Sequence, residues 1–228
     1  MQILGKLKNF VIVTGHYGCG KTNLSLNLAI DAAKAGEKVT IVDMDLVNPY
    51  FRVSDYRALL EGYGIEVITP VFGATNLDIP SLPASMYSIF DREGRTIVDV
   101  GGDDVGSTVL GRFRPQLMKT DYDMLYVINR FRSLTVTAQE AVEILHEIEQ
   151  VSSLKAAKLV NNSHLMSDTT DDVIEKGLHY ADEVSKLTGL EVIANVVADG
   201  LLRAGNVDRS KIPDPYIVNI YTGPGYEP

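Results

Sequence analysis

The sequence predicts an α/β protein with a doubly wound, mostly parallel sheet and helices on both faces of that sheet. Short apolar runs rich in β-branched residues alternate with longer amphipathic helical patterns along the 228 residues, as in strand–helix–strand units. Several of these short runs are apolar without interruption, which is typical of parallel strands that helices cover on both faces. No repeat or linker divides the sequence, so we expect one domain over residues 1–228.

Strands and long helices are predicted in alternation. The predicted strands are Phe10–Thr14, Val39–Asp43, Glu66–Thr69, Thr96–Val100, Met124–Asn129, Ala157–Asn161 and Val192–Val197. The predicted helices, which place apolar residues along one face, are Thr22–Ala35, Thr137–Gln150 and Asp171–Leu187. The segment from about residue 212 to residue 228 is rich in Pro, Gly and Tyr without a helical period, so we expect a surface strand and a loose end.

The composition argues against several kinds of protein. A formal net charge of -9 argues against sequence-blind nucleic-acid binding, which relies on basic patches. A single cysteine, Cys19, excludes an internal disulfide framework and a four-cysteine metal site within the chain. No apolar run approaches the roughly 18 residues of a membrane span, and the first residues show no signal-peptide pattern. We therefore expect a cytoplasmic protein without a membrane span.

The stretch GHYGCGKT, residues 15–22, satisfies the pattern of a phosphate-binding loop. It follows a predicted strand and precedes an amphipathic helix, which is the context that this pattern needs. Gly15, Gly18 and Gly20 allow backbone N–H groups to surround phosphate oxygens, and the helix N-terminus adds the positive end of its dipole. In this chemistry Lys21 bridges the β and γ phosphates and the Thr22 hydroxyl binds Mg²⁺. The stretch therefore predicts nucleotide binding.

Acidic residues follow two of the predicted strands. Asp43 and Asp45 stand at the end of the second strand, and Asp99 stands at the end of the fourth, before Gly101 and Gly102. Ligands of open α/β sheets bind outside the carboxyl ends of the strands, so these residues are expected to meet the loop. One carboxylate can hold the water shell of Mg²⁺, a second can position an attacking water, and a glycine amide can meet the γ phosphate. Without such a role, a single aspartate after a strand can instead cap a helix or form a turn.

These three segments together resemble the MinD/ParA/nitrogenase-iron-protein group of P-loop ATPases, from about Phe10 to Gly205. The resemblance implies ATP or ADP as ligand, with Mg²⁺ held by Thr22, Asp43 and Asp99. It implies catalytic roles for Lys21, Asp45 and Asp99, in which Asp45 orients the hydrolytic water. The nucleotide-binding residues that it implies are Gly15, His16, Tyr17, Gly18, Cys19, Gly20, Lys21, Thr22, Asn23, Gly102 and Asn162.

Two details refine the resemblance. Asn162 matches the adenine-contacting residue of the group, and the N-K-x-D signature of guanine specificity is absent, so ATP is expected rather than GTP. The group's signature lysine, which reaches across a dimer to the partner's ATP, is replaced here by His16. Two roles remain open for His16, a weaker and pH-sensitive substitute for that lysine or a residue that only packs in the loop.

Three functions remain open at this point. The first is an ATPase switch, in which ATP favours one state, commonly a homodimer, and a partner protein detects the difference. The second is an ATP-dependent biosynthetic enzyme of the dethiobiotin or cobyrinic acid synthase kind, which phosphorylates a carboxylate. The third is a nucleotide-binding adaptor with almost no turnover, which the missing lysine suggests.

Overall fold

The computed structural model describes residues 3–45, 52–69, 84–102 and 104–222. Within these residues the chain forms one parallel sheet in the strand order β3-β2-β4-β1-β5-β6-β7-β8. The strands are β1 (Phe10–Gly15), β2 (Val39–Met44), β3 (Glu66–Ile68), β4 (Arg95–Val100), β5 (Tyr122–Ile128), β6 (Lys158–Asn161), β7 (Val192–Ala198) and β8 (Pro215–Val218). The helices are α1 (Lys21–Lys34), α2 (Arg57–Gly62), α3 (Ala84–Tyr87), α4 (Asp104–Arg112), α5 (Arg114–Leu117), α6 (Ala138–Ser152), α7 (Asp171–Thr188) and α8 (Asp199–Arg203).

Helices cover both faces of the sheet, as the sequence predicts. Successive residues of β1 point to opposite faces, and both faces are apolar. Val11 and Val13 belong to a core that includes the buried face of α1, whereas Phe10 and Ile12 belong to a core that includes residues of α4, α6 and α7. The doubly wound, parallel fold class is therefore confirmed.

The three long helices begin and end within about two residues of the predicted positions, a normal uncertainty for helix ends. Before α6, the Thr137 hydroxyl accepts from the backbone N–H of Glu140 at 3.3 Å, and the Glu140 carboxylate accepts from the N–H of Thr137 at 2.8 Å. This reciprocal pair satisfies two N–H groups that the first helical turn leaves unpaired. At the C-terminal end of α7, Gly189 adopts a left-handed conformation with φ 74°, and the helix ends there.

Two strands begin earlier than predicted, and each has a buried charged residue at or next to its start. β5 begins at Tyr122 rather than Met124, and the Asp123 carboxylate accepts from Lys158 Nζ at 2.6 Å and from the N–H of Lys8 at 2.9 Å. β4 begins at Arg95, whose guanidinium pairs with Glu37 at 2.7 Å. Apolar periodicity does not detect such residues, because paired charges replace apolar side chains there.

The short helices were not predicted, and the end of the chain was predicted in part. The expected surface strand is β8, an edge strand that pairs in parallel with β7. The expected loose end, in residues 223–228, lies outside the described residues. No helix in the described ranges has both the length and the apolar character that crossing a bilayer requires.

Candidate functional site

The loop between β1 and α1 has a backbone that favours glycine at three positions. Gly15, Gly18 and Gly20 have φ values of 148°, 73° and 90°, which L-residues rarely reach. A Cβ on Gly15 would lie 2.3 Å from the carbonyl oxygen of Val127, and a Cβ on Gly20 would lie 2.2 Å from Nδ2 of Asn162. The loop therefore curls tightly in front of the N-terminus of α1, where backbone N–H groups favour an anion.

Lys21 is buried beside the turn that follows β4. Its Nζ donates to the carbonyl oxygen of His16 at 3.0 Å, and this is the one hydrogen bond found for that ammonium among the described residues. An ammonium carries three donors, so Lys21 retains donors for a ligand. A Cβ on Gly102 would lie 2.7 Å from Lys21 Nζ and 2.6 Å from the backbone nitrogen of Tyr17. Because Gly102 has no side chain, the Lys21 ammonium and the loop backbone can lie close to it.

Asp99, at the end of β4, is the acidic centre of the site. Its carboxylate accepts from the Thr22 hydroxyl at 2.7 Å and from the Ser25 hydroxyl at 3.0 Å. Burial raises the pKa of Asp99 to about 7, although the Thr22 bond and the charge of Lys21 oppose that shift. Asp99 therefore lies within hydrogen-bond reach of the hydroxyl that the motif assigns to Mg²⁺.

Asp43 lies beside Asp99, because the two residues are register partners in the paired strands β2 and β4. Burial raises the pKa of Asp43 to about 6, although its carboxylate accepts from the N–H groups of Asp45 at 3.1 Å and Ser54 at 3.4 Å. Two adjacent buried carboxyls resist ionisation until a cation compensates them. The residues thus fit a divalent cation, as the motif predicts.

The described residues contain no group of three or more His, Cys, Asp or Glu side chains that could hold a metal ion. Such a cage is not needed for Mg²⁺, which keeps several waters and takes its other ligands from one or two carboxylates and from substrate phosphates. Thr22, Asp43 and Asp99 are a donor set of that kind. The donor chemistry of this end of the loop therefore suits Mg²⁺ bound together with a nucleotide.

His16, Tyr17 and Cys19 occupy different environments within the loop. His16 is half-buried, and burial, together with the charge of Lys21, lowers its pKa. Tyr17 is 62% exposed, whereas Cys19 is buried and burial raises the pKa of its thiol. Cys19 thus contributes its backbone to the site, since its carbonyl oxygen accepts from Nδ2 of Asn162 at 2.7 Å.

A cavity of about 660 Å³ extends from the loop across the carboxyl ends of β6, β7 and β8. Its near end is lined by loop residues and by Asp45, and Asn162 and His164 line it beyond β6. Its far end is apolar, and the side chains there include Ile174, Val196, Leu201, Val218 and Ile220. This size and polarity are those of a small-molecule site.

Sequence reasoning missed this apolar end. Its residues come from β7, β8, α7, α8 and the segment after β8. Single apolar residues in such stretches do not predict a ligand site. The one available signal was the position of Val197 and Ala198 at the carboxyl end of a predicted strand, where ligands of parallel sheets bind.

The segment after β8 forms a wall of the same cavity and is tied to α1. Asn23 Nδ2 and Asn27 Nδ2 donate to the carbonyl oxygen of Asn219 at 3.1 Å and 2.9 Å. Asn27 Oδ1 accepts from the N–H of Asn219 at 2.9 Å, and Asn23 Oδ1 accepts from the N–H of Tyr221 at 2.8 Å. The side chain of Asn23, which we predicted to bind nucleotide, is thus engaged with the chain that borders the cavity.

The predicted residues converge at the carboxyl edge of the sheet. The loop residues, Asp43, Asp99, Gly102 and Asn162 lie together through the contacts described above. Asp45 lines the cavity beside them. A phosphate cradle, a pair of acidic groups and an adjoining apolar cavity are what a nucleotide with its metal ion requires.

Comparison with known proteins identifies one family. The model of the CobQ/CobB/MinD/ParA nucleotide binding domain, CbiA, matches residues 10–166. No curated protein matches the sequence.

Solved structures share the fold at low sequence identity. Signal recognition particle 54 kDa protein from Aeropyrum pernix K1, in complex with GDP, aligns with a TM-score of 0.54 and 20% identity over 81% of this chain and 41% of that chain. The signal recognition particle receptor FtsY from Elizabethkingia anophelis, in complex with GDP, aligns with a TM-score of 0.52 and 16% identity over 82% of this chain and 57% of that chain. The chain thus spans less than two thirds of either structure, and at these identities the likeness concerns the fold.

Proposed function

Because the chain belongs to the CobQ/CobB/MinD/ParA nucleotide-binding domain family, we propose that it binds and hydrolyses Mg²⁺-ATP as a nucleotide-dependent switch. In this proposal ATP favours one state, a homodimer, and a partner protein distinguishes that state from the ADP form. The observation that carries the proposal is the convergence of Lys21, Thr22 and Asp99 at one end of the glycine loop.

The phosphate chain is assigned to the loop. Backbone N–H groups at the start of α1 are positioned to donate to phosphate oxygens. Lys21 supplies a buried positive charge, and its remaining donors favour the β and γ phosphates. The closeness of Gly102 to Lys21 Nζ supports a role for the backbone after β4 at the γ phosphate.

The metal ion is assigned to Thr22 with the two buried aspartates. When bound, Mg²⁺ supplies positive charge that neutralises the phosphate oxygens during transfer. Asp99 orients the Thr22 hydroxyl by accepting a hydrogen bond from it, and in its ionised form it would hold the ion's water shell. Asp43 lies next to it and adds negative charge on the same side.

Water activation is assigned to Asp45. This residue follows β2, and its backbone N–H donates to Asp43 at 3.1 Å, which fixes the chain at that point. Its side chain lines the cavity together with Lys21 and Thr22. A carboxylate in that position can accept a hydrogen bond from the attacking water and orient it.

Adenine is favoured over guanine as the base. Asp45, at the phosphate end, is the only carboxylate among the described residues that line the cavity. Guanine presents N1–H and 2-amino donors together, and buried donors without acceptors are costly. Asn162 commits its amide nitrogen to Cys19, which leaves its oxygen as an acceptor for the 6-amino group of adenine. The GDP named for the two similar structures belongs to those proteins.

The test is ATP binding by calorimetry for wild type, Lys21→Ala and the control Lys34→Ala. Lys34 ends the same helix and lies over the ring of Tyr63, at 5.4 Å from its centroid. Loss of a charge-assisted contact predicts about 10- to 100-fold weaker ATP binding for Lys21→Ala and no change for Lys34→Ala. Equal ATP affinity for all three proteins would refute the proposal.

A further inference from the structure

Arg132 lies against the phosphate loop from the β5 side of β1, whereas Gly102 follows β4 on the other side of β1. It belongs to the segment that follows β5. Its Nε and Cδ atoms lie 3.7 Å and 3.8 Å from the position that a Cβ on Gly18 would occupy. Its side chain lines the cavity together with Tyr17 and Gly18. Arg132 therefore lies in van der Waals range of the middle of the loop, at Gly18.

The guanidinium of Arg132 has no partner, within the part of the chain that the structure describes, that explains its position. Its Nε is buried and makes no hydrogen bond there. No hydrogen bond or salt bridge joins its side chain to another of the described residues. A buried donor without an acceptor costs free energy, and such groups are rare in native proteins unless a ligand uses them.

The backbone holds Arg132 in place through local contacts. The N–H of Arg132 donates to the carbonyl oxygen of Asn129 at 3.3 Å, and the N–H of Phe131 donates to the Asn129 side chain at 3.0 Å. The Thr135 hydroxyl donates to the same Asn129 carbonyl oxygen at 2.9 Å. Asn129 and Thr135 are themselves buried. The turn is therefore fixed at both ends, and the guanidinium is positioned before any ligand arrives.

The surroundings of Arg132 favour an anion. Lys21 is the other charged cation that lines the cavity among the described residues, and Asp45 is the one carboxylate. His164 lies close to Arg132, and burial, followed by the charge of Arg132, lowers the pKa of that histidine to about 4. His164 is therefore neutral at physiological pH, as is most of His16 in the absence of ligand, so Arg132 is the second fixed positive charge at the loop.

We propose that Arg132 is a phosphate-binding residue, supplied by the same chain, for the α and β phosphates that ADP and ATP share. The inference rests on the proposed function and adds a second cationic group to the site. A guanidinium binds phosphate through several N–H donors in a fixed plane. Gly18 lies in the middle of the loop, whose backbone N–H groups surround the α and β phosphates. Arg132 lies on that side, away from the γ phosphate end at Gly102.

The test compares ADP and ATP binding for wild type, Arg132→Met, Arg132→Lys and the control Arg130→Met. Arg130 lies two residues earlier in the same segment, and its side chain does not line the cavity. For Arg132→Met we expect about 10- to 100-fold weaker binding of both nucleotides. The nucleotide affinity of Arg132→Lys should fall between those of Arg132→Met and wild type, because lysine keeps the charge and loses the planar fork. Arg130→Met should bind as wild type does.

Thermal unfolding without nucleotide separates binding from packing. Arg132→Met keeps most of the side-chain volume and removes a buried donor that has no partner, so its melting temperature should equal or exceed that of wild type. Wild-type affinity for both nucleotides in Arg132→Met, or a loss confined to ATP, would overturn the inference. A large loss of thermal stability in that variant would also overturn it, since the arginine would then serve packing. Failure of wild type itself to bind either nucleotide would instead overturn the proposed function.

Discussion

At the scale of single residues, the charge of His16 is set by its surroundings. Burial and the neighbouring Lys21 lower its pKa, so the nucleotide-free protein holds this imidazole neutral at pH 7. Phosphate charge acts in the opposite direction and favours the protonated form. His16 therefore gains a proton more readily with a bound nucleotide than without one.

Hydrolysis rates across pH test whether that proton matters. As the pH falls from about 8 to about 6, we expect ATP turnover by wild type to rise relative to His16→Ala. His16→Lys carries a permanent charge, so it should show no such rise and should exceed wild type at the higher pH. The γ phosphate also titrates in this range, and only differences between the proteins are informative. One common pH profile and rate for all three would mean that His16 has no role in turnover.

At the scale of secondary-structure elements, two asparagines of α1 bind the segment after β8. Asn27 makes two of these contacts, because its Nδ2 donates to the carbonyl oxygen of Asn219 and its Oδ1 accepts from the N–H of Asn219. The helix that begins at the phosphate loop is thereby joined to the edge of the sheet and to the wall of the cavity.

Asn27→Ala should therefore destabilise the protein. The substitution removes two hydrogen bonds that the buried Asn27 side chain makes to the Asn219 backbone. At about 0.5–1.5 kcal/mol for each bond, this predicts a loss of about 1–3 kcal/mol in the free energy of unfolding. Urea denaturation measures that loss, and Asn206→Ala in an exposed turn is the control, expected to change stability by less than about 0.5 kcal/mol. Equal stabilities for the two variants would show that the asparagine contacts do not hold this segment.

The elements differ in how far the sequence predicts them. The phosphate loop and the strands with continuous apolar runs are local patterns, so residues such as Gly20 and Lys21 could be assigned directly. The start of β5 depends on Asp123, whose ion pair with Lys158 joins residues distant in sequence. The apolar end of the cavity and the position of Arg132 likewise arise from tertiary contacts. No local pattern encodes them.

At the scale of the whole molecule, strand order places the parts of the site. β1 lies in the middle of the sheet, with β4 and β2 on one side and β5 to β8 on the other. The acidic residues therefore fall on one side of the loop, and the apolar cavity falls on the other. If the phosphates of a nucleotide occupy the loop, its metal ion would lie on the Asp99 side and its base on the side of Val196 and Val218.

Calorimetric titration of the wild-type protein with ATP and with GTP, each with Mg²⁺, tests this account most directly. The cavity offers an acceptor at Asn162 and has no carboxylate near its apolar end among the described residues. We therefore expect ATP to bind at least about tenfold more tightly than GTP, since unpaired guanine donors carry a desolvation cost. GTP affinity equal to or greater than that of ATP would contradict the assignment of the base, and binding of neither nucleotide would contradict the function itself.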